Sequence, residues 1–300
     1  MMLNRLKPWS TGALLVVILS GCSMAPRYQQ PTVMVAPSFP TANIATQTGA
    51  VAASNLGWQE YFTDARLRQL IELALANNKD LRVAALNVEA VRAQYAIARA
   101  DRLPAIGATG TGTKARVAED LSAVGRSYIT ESYNVGLGVT AFELDLFGRV
   151  NSLSNAALNQ YFAQEQARDA TQISLIASVA KAYFAQRSAQ ANMNLSERVL
   201  KTREESKRLT DLKFKAGVIS AIDVDTAVSQ IEAARSDYAA AERNRDQARN
   251  ALVLLVGQPL PENLPAEAPL TAQFANSELP VGLPSEILYQ RPDVRQAEFA

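Results

Sequence analysis

The chain has 300 residues and 32.4 kDa, 48% hydrophobic and 20% charged, the balance of a folded protein with room for about two domains. Thirty basic against 29 acidic residues leave a net charge of +1 with no basic stripe, so a nucleic-acid partner has no electrostatic footprint to hold. No histidine and a single cysteine exclude His-based general-base catalysis, Cys–His nucleophiles, disulfides and Cys/His zinc sites; with no Gly-rich phosphate loop either, neither an enzyme nor a cofactor or metal site is expected.

Residues 1–21 have the order of a secretory signal peptide: Arg5 and Lys7, then an apolar run from Gly12 to Leu19, then small residues. The run falls short of the roughly 20 residues a membrane-spanning helix needs. Leu19-Ser20-Gly21-Cys22 resembles the bacterial lipoprotein cleavage box, which implies a covalent lipid on Cys22 as the mature first residue. Ser23 stands where lipoproteins kept at the inner membrane often carry Asp, so the implied destination is the outer membrane. Residues 22–64, with Pro26, Pro31, Pro37 and Pro40, show no helical or strand period early on and read as an extended leader.

A helix is expected from Ala65 to Ala100, its apolar face formed by Leu67, Leu70, Ile71, Leu75, Leu81, Ala84, Ala85, Val88 and Val91, with Pro104 at its exit, giving a segment 65–104. The texture then changes. Ala105–Lys114 and Glu131–Asp145 read as two strands around a polar loop, Ala115–Arg126, within a segment 105–145. In the second strand Tyr133, Val135, Leu137, Val139 and Ala141 alternate with Ser132, Asn134, Gly136, Gly138 and Thr140, a two-residue period with one apolar face. Both segments match the ~9–11 residues of a transmembrane β-strand. A soluble amphipathic hairpin packed on the helices is the alternative. Glu143 and Asp145 could form a carboxylate pair, but capping of the next helix explains them more simply.

Between Arg149 and Val256 there is no proline and Gly217 is the only glycine, so segment 146–257 reads as a helical hairpin broken once, with its tip near 216–220. A first arm from Arg149 to Lys215 would be on the order of 100 Å long, and a second from Ser220 to Val256 roughly 54 Å. Gly217 suits a left-handed helix end, and Ser220 with Asp223 suits an N-cap. Val224, Val228, Ile231, Ala234 and Tyr238 are expected to face Leu153, Leu158, Ile173, Ile176, Ala177, Ala180 and Phe184. A Pro-rich linker, 258–284, follows. Residues 283–297 then echo residues 70–84, sharing Leu, Leu, Asp, Arg and Ala at matching places, so 285–300 reads as the start of a second repeat and the chain as an N-terminal fragment.

The lipobox, GWQEYFTDARLRQLIELALANNKDLRVAALNVEAVRAQY, AFELDLFGRV, the GxxSAIDV turn, NALVLLVGQP and LPSEILYQRPDVRQAE together resemble the outer membrane factor (TolC/OprM-like) family, close to the lipidated channel subunits of multidrug efflux pumps. The resemblance implies an α+β membrane channel: long antiparallel helical hairpins forming a trimeric α-barrel, continuous with an antiparallel outer-membrane β-barrel. Two strands per half make four per complete chain and about twelve per trimer, above the minimum of eight for a closed barrel. It further implies passive export of drugs and small solutes, with a periplasmic adaptor, an inner-membrane resistance-nodulation-division transporter and outer-membrane lipid as partners. By the same resemblance Gly217, Val218 and Ser220 form the periplasmic docking tip, Asp223 and Asp225 lie in the gate region, and Tyr133, Val135, Leu137 and Val139 face lipid. A periplasmic adaptor or structural coiled-coil lipoprotein is the competing reading, although adaptors flank their hairpins with β-rich halves.

Overall fold

A computed structural model describes residues 25–26, 28–30, 57–269 and 285–300. The signal peptide, Cys22, most of the leader and most of the Pro-rich linker lie outside the described residues. In chain order the elements are α1 (Trp58–Tyr61), α2 (Ala65–Asn77), α3 (Lys79–Ala100), β1 (Ala105–Val117), β2 (Tyr128–Ala141), α4 (Arg149–Lys215), α5 (Ala221–Val256) and α6 (Pro292–Phe299), with short 3-10 turns at Glu119–Leu121 and Ser285–Gln290. The described residues divide into two units, one holding 25–26, 28–30, 88–164 and 298–300, the other 57–87, 165–269 and 285–297; α3 and α4 each contribute to both.

In the first unit, β1 and β2 form a two-stranded antiparallel ribbon, in continuous register from Ile106↔Val139 to Val117↔Tyr128, with one bulge beside Ala105. The strands run further toward the connecting loop than the sequence suggested, and β2 stops at Ala141 rather than Asp145. The reason lies in the turn that follows. The Asp145 carboxylate accepts the Asn151 backbone N–H at 2.8 Å, Gly148 takes φ +75°, and its carbonyl accepts the Ser152 hydroxyl, so 142–148 is committed to starting α4. Arg149 and Glu143 form a forked ion pair across the same turn. The carboxylates are therefore helix-entry groups, as their positions implied.

The second unit holds the largest core. Leu67, Leu70, Ile71 and Ala74 of α2 meet Leu175, Val179, Ala180 and Tyr183 of α4 and Leu252 and Val256 of α5, with Phe62 at the edge. The spacings 67/70/71/74 and 175/179/183 place each set on one helical stripe. The expected α4 stripe is met in part: Ala180 is buried and Ile176 and Phe184 pack against the core, but Ile173 is more than half exposed, as is Leu153 in the first unit, and the unexpected Leu175 and Val179 are buried. With alanine at so many α4 positions the period in sequence is weak, and contact with α2 and α5 decides which face turns inward.

Two further differences concern the first helix. Trp58–Tyr61 is helical and Asp64 is fully buried, so structure begins before the expected end of the leader. The expected single helix is two, because Asn78 adopts an extended conformation (ψ 131°) and closes one helix while opening the next. Its N–H donates to the Ala74 carbonyl, its Oδ1 accepts the Leu81 N–H at 3.0 Å, and its Nδ2 donates to the Leu255 carbonyl at 2.9 Å. Directly opposite, Gly257 ends α5 at φ +78°, so close to this junction that a Cβ would lie 2.7 Å from the Asn77 carbonyl oxygen.

Candidate functional site

The ribbon sorts its side chains by face. Pairing Ile106↔Val139, Ala108↔Leu137, Gly110↔Val135 and Gly112↔Tyr133 gathers all four expected lipid-facing residues on one side. They are 73% (Tyr133), 91% (Val135), 83% (Leu137) and 61% (Val139) exposed. The opposite face carries Thr109, Thr111, Thr113, Ser132 and Asn134 with Gly107, Gly136 and Gly138. The glycines and alanine of β1 leave the apolar face dominated by β2 side chains. Toward the loop that face ends at a Lys114–Glu131 ion pair beyond Tyr133. Strands of 13 and 14 residues extend roughly 45 Å along their axes at ~3.4 Å per residue, ample for the ~25 Å apolar band of a barrel strand tilted by ~35–45°. Among the described residues no helix is long and apolar enough to cross a membrane.

The hairpin tip is built by backbone hydrogen bonds. Val218 N–H donates to the Lys213 carbonyl at 3.0 Å and Gly217 N–H to the Phe214 carbonyl at 2.9 Å, around Gly217 at φ +73°. This pair of bonds is the Schellman arrangement, and it requires the left-handed residue that glycine supplies. Val218 is 73% exposed at the apex. The Ser220 N–H and hydroxyl both donate to Asp223 Oδ2, at 2.9 and 2.8 Å. Those two bonds, side chain first, hold the Asp223 carboxyl below its ordinary value. Asp225 is also exposed, but two residues at ~100° each put it on a different face from Asp223, so the structure does not bring the two carboxylates together.

A polar cluster that sequence reasoning missed lies within the second unit. Asp64 Oδ1 caps α2 by accepting the Arg66 and Leu67 N–H groups, while Oδ2 accepts the Tyr183 hydroxyl at 2.7 Å. Arg187 donates to the Tyr183 oxygen at 3.1 Å and lies 3.9 Å from Asp64. It also pairs with Glu267 at 2.9 Å and donates to the Ala268 carbonyl at 3.1 Å. Burial, then the bond to Asp64, push the Tyr183 hydroxyl up to about 12, keeping it a donor. The traces of this cluster in sequence were an N-cap aspartate three residues before Leu67 and the i, i+4 pair Tyr183/Arg187.

The sequence model described as "Outer membrane efflux protein" matches residues 70–258. The chain is 48% identical over 288 residues to the probable efflux pump outer membrane protein TtgC of Pseudomonas putida, covering 95% of this chain and 59% of the relative. It is 42% identical over 300 residues to outer membrane protein OprJ of Pseudomonas aeruginosa, covering 98% of this chain and 61% of that one. Among solved structures, the open state of the Neisseria gonorrhoeae MtrE outer membrane channel superposes with a TM-score of 0.77 at 46% identity, over 93% of this chain and 61% of that chain. The chain thus spans about 59% of the length of TtgC. With the family model matching well over half of its residues and relatives at 42–48% identity, the chain belongs to the outer membrane efflux protein family.

Proposed function

We propose that this chain is part of an outer-membrane channel of a tripartite efflux system, passively conducting drugs and other small solutes outward, and that it is not an enzyme. The observation carrying the reading is the β1–β2 ribbon, whose exposed row Tyr133, Val135, Leu137 and Val139 backs onto threonine, serine, asparagine and glycine. A lipid-exposed sheet edge is not tolerated, so a two-stranded ribbon in a membrane must pair with further strands, and a homotrimer supplies them. The polar face then lines the pore. The segment 105–145 is the membrane portion and its loop, 65–104 and 146–257 extend the passage into the periplasm, 258–284 is the linker and 285–300 opens a second repeat.

In this reading residues 1–21 are a removed signal and Cys22 anchors the leader 22–64 to outer-membrane lipid. Gly217, Val218 and Ser220 form the docking turn for a periplasmic adaptor, which links the channel to an inner-membrane resistance-nodulation-division transporter. The exposure of Val218 and the bonded shape of the turn support this role. Asp223 is bound into its own cap and acts mainly to keep the tip folded, leaving Asp225 as the freer gate-region carboxylate. Nucleotide or metal chemistry has no part in the proposal; opening is a population shift biased by the partner proteins.

The test is spin labelling of the full-length protein in outer-membrane-like bilayers. Nitroxides at Val135 and Leu137 should collide with dissolved oxygen in the acyl region, and those at Asn134 and Gly136 with a water-soluble nickel chelate. The opposite pattern, or a full-length protein without conductance in a planar bilayer, rejects the channel.

A further inference from the structure

We infer that the C-terminal face of α3 is a binding site for the phosphate head group of an anionic phospholipid, at the membrane boundary on the helical side of the ribbon. Arg92, Tyr95, Arg99, Arg102 and Leu103 line one open groove of about 830 Å³, all within the first unit. Arg92, Tyr95 and Arg99 run i, i+3, i+7, which keeps them on one side of α3, and Arg102, in the turn that follows the helix, lines the same groove. The last arginine stands three residues before β1 begins at Ala105.

The arginines are poorly neutralised. Arg92 has an exposed Glu89 at 3.7 Å; among the described residues no carboxylate lies within 4 Å of Arg99 or Arg102, although Asp101 lies between them in sequence. Glu143 and Asp145 share a second depression with Arg102, but they are committed elsewhere. Glu143 is bound by Arg149, and Asp145 accepts the first amides of α4. Guanidinium groups present planar forks of N–H donors that match phosphate oxygens.

The neighbouring apolar residues complete the argument. Leu103 and Ile106 are 69% and 81% exposed where α3 passes into β1. Cations therefore stand on the helix side of an exposed apolar edge, the order that a phosphate and its acyl chains present across a bilayer surface. The positive groove favours an anionic over a zwitterionic lipid. This inference rests on the reading of β1 and β2 as membrane strands.

The test uses the full-length protein in mild detergent with equal phosphatidylglycerol and phosphatidylethanolamine, counting retained lipids by native mass spectrometry and measuring planar-bilayer conductance in parallel. Wild type should retain phosphatidylglycerol preferentially. The triple variant Arg92→Gln, Arg99→Gln, Arg102→Gln should lose that retention by about tenfold or more while still conducting. The triple lysine variant should keep most of it, and if the triple glutamine variant does not assemble, the single variant Arg99→Gln decides the matter: it should lose part of the retention, and unchanged retention overturns the inference. Equal retention in the wild type and the glutamine variant overturns the inference, as does displacement of the lipid by inorganic phosphate with no preference between the two lipids. Loss of conductance in the wild type would instead reject the channel reading itself.

Discussion

Gly217 and Gly257 provide a matched pair for separating backbone strain from packing. Both sit at helix ends with nearly the same dihedral, φ +73° and +78°. A Cβ at Gly217 would meet nothing within 4 Å, whereas at Gly257 it would lie 2.7 Å from Asn77 O, 3.0 Å from Asn77 C and 3.3 Å from Asn78 N. These are backbone atoms and cannot rotate aside. Alanine at either site carries the left-handed penalty of roughly 1–2 kcal/mol. At Gly257 an overpacking cost of about 1–3 kcal/mol adds to it, and the Asn78–Leu255 bond, at 2.9 Å, lies in the path of any relaxation. Gly257→Ala should therefore cost about 2–5 kcal/mol in total. Urea unfolding of each full-length variant, with amide exchange at Leu81 and Asn78 as the local readout, measures the difference. If the two alanine variants unfold alike and both leave Leu81 protected, the close approach of the α5 end to the α2–α3 junction is wrong.

Tyr183→Phe should cost about 1–3 kcal/mol by removing a donor from a buried carboxylate, and a double-mutant cycle with Asp64→Asn should show coupling; strictly additive effects would mean that the 2.7 Å bond contributes nothing. At the tip, the Asp223 carboxyl is depressed by its bonds to Ser220, so its capping contribution is full above the ordinary aspartate range and lost as pH falls through the lowered value. Exchange of the Ser220 amide should accelerate over that acidic window in the wild type and lose the pH step in Asp223→Asn; an unchanged step assigns it to another group. Cys22→Ala should abolish globomycin-sensitive processing and weaken membrane partitioning, and unaltered processing would remove the lipid anchor.

The ribbon was readable because its code is simple. Alternation from Tyr133 to Val139 depends on strand geometry alone, and Gly217 in a long glycine-free stretch could only be a break. The division at Asn78 was harder, since asparagine in a run of good helix formers interrupts by side-chain bonds to Leu81 and to the distant Leu255. Yet the internal repeat held a clue: α6 begins at Pro292, the position matching Lys79, where α3 begins. Proline favours the first position of a helix, so the second copy states openly what the first encodes through Asn78. The facing stripe of α4 and the Asp64–Tyr183–Arg187 cluster depend on residues more than a hundred positions apart, beyond what local periodicity can report.

The strap of residues 265–268 across Arg66 and Arg187 makes one end of the long hairpin a root. From Arg187 to Lys215, roughly 40 Å of α4 at 1.5 Å per residue, no residue of α4 is buried; beyond the core the facing arm buries only Ile231 and Ala234, and ion pairs such as Lys201–Glu197 and Arg208–Glu205 are solvent-exposed. Such pairs contribute little to rigidity. Mechanically this is a cantilever: stiff at its clamped base, compliant along its free length, so a small lateral push at the apex is absorbed by bending rather than by breaking the core.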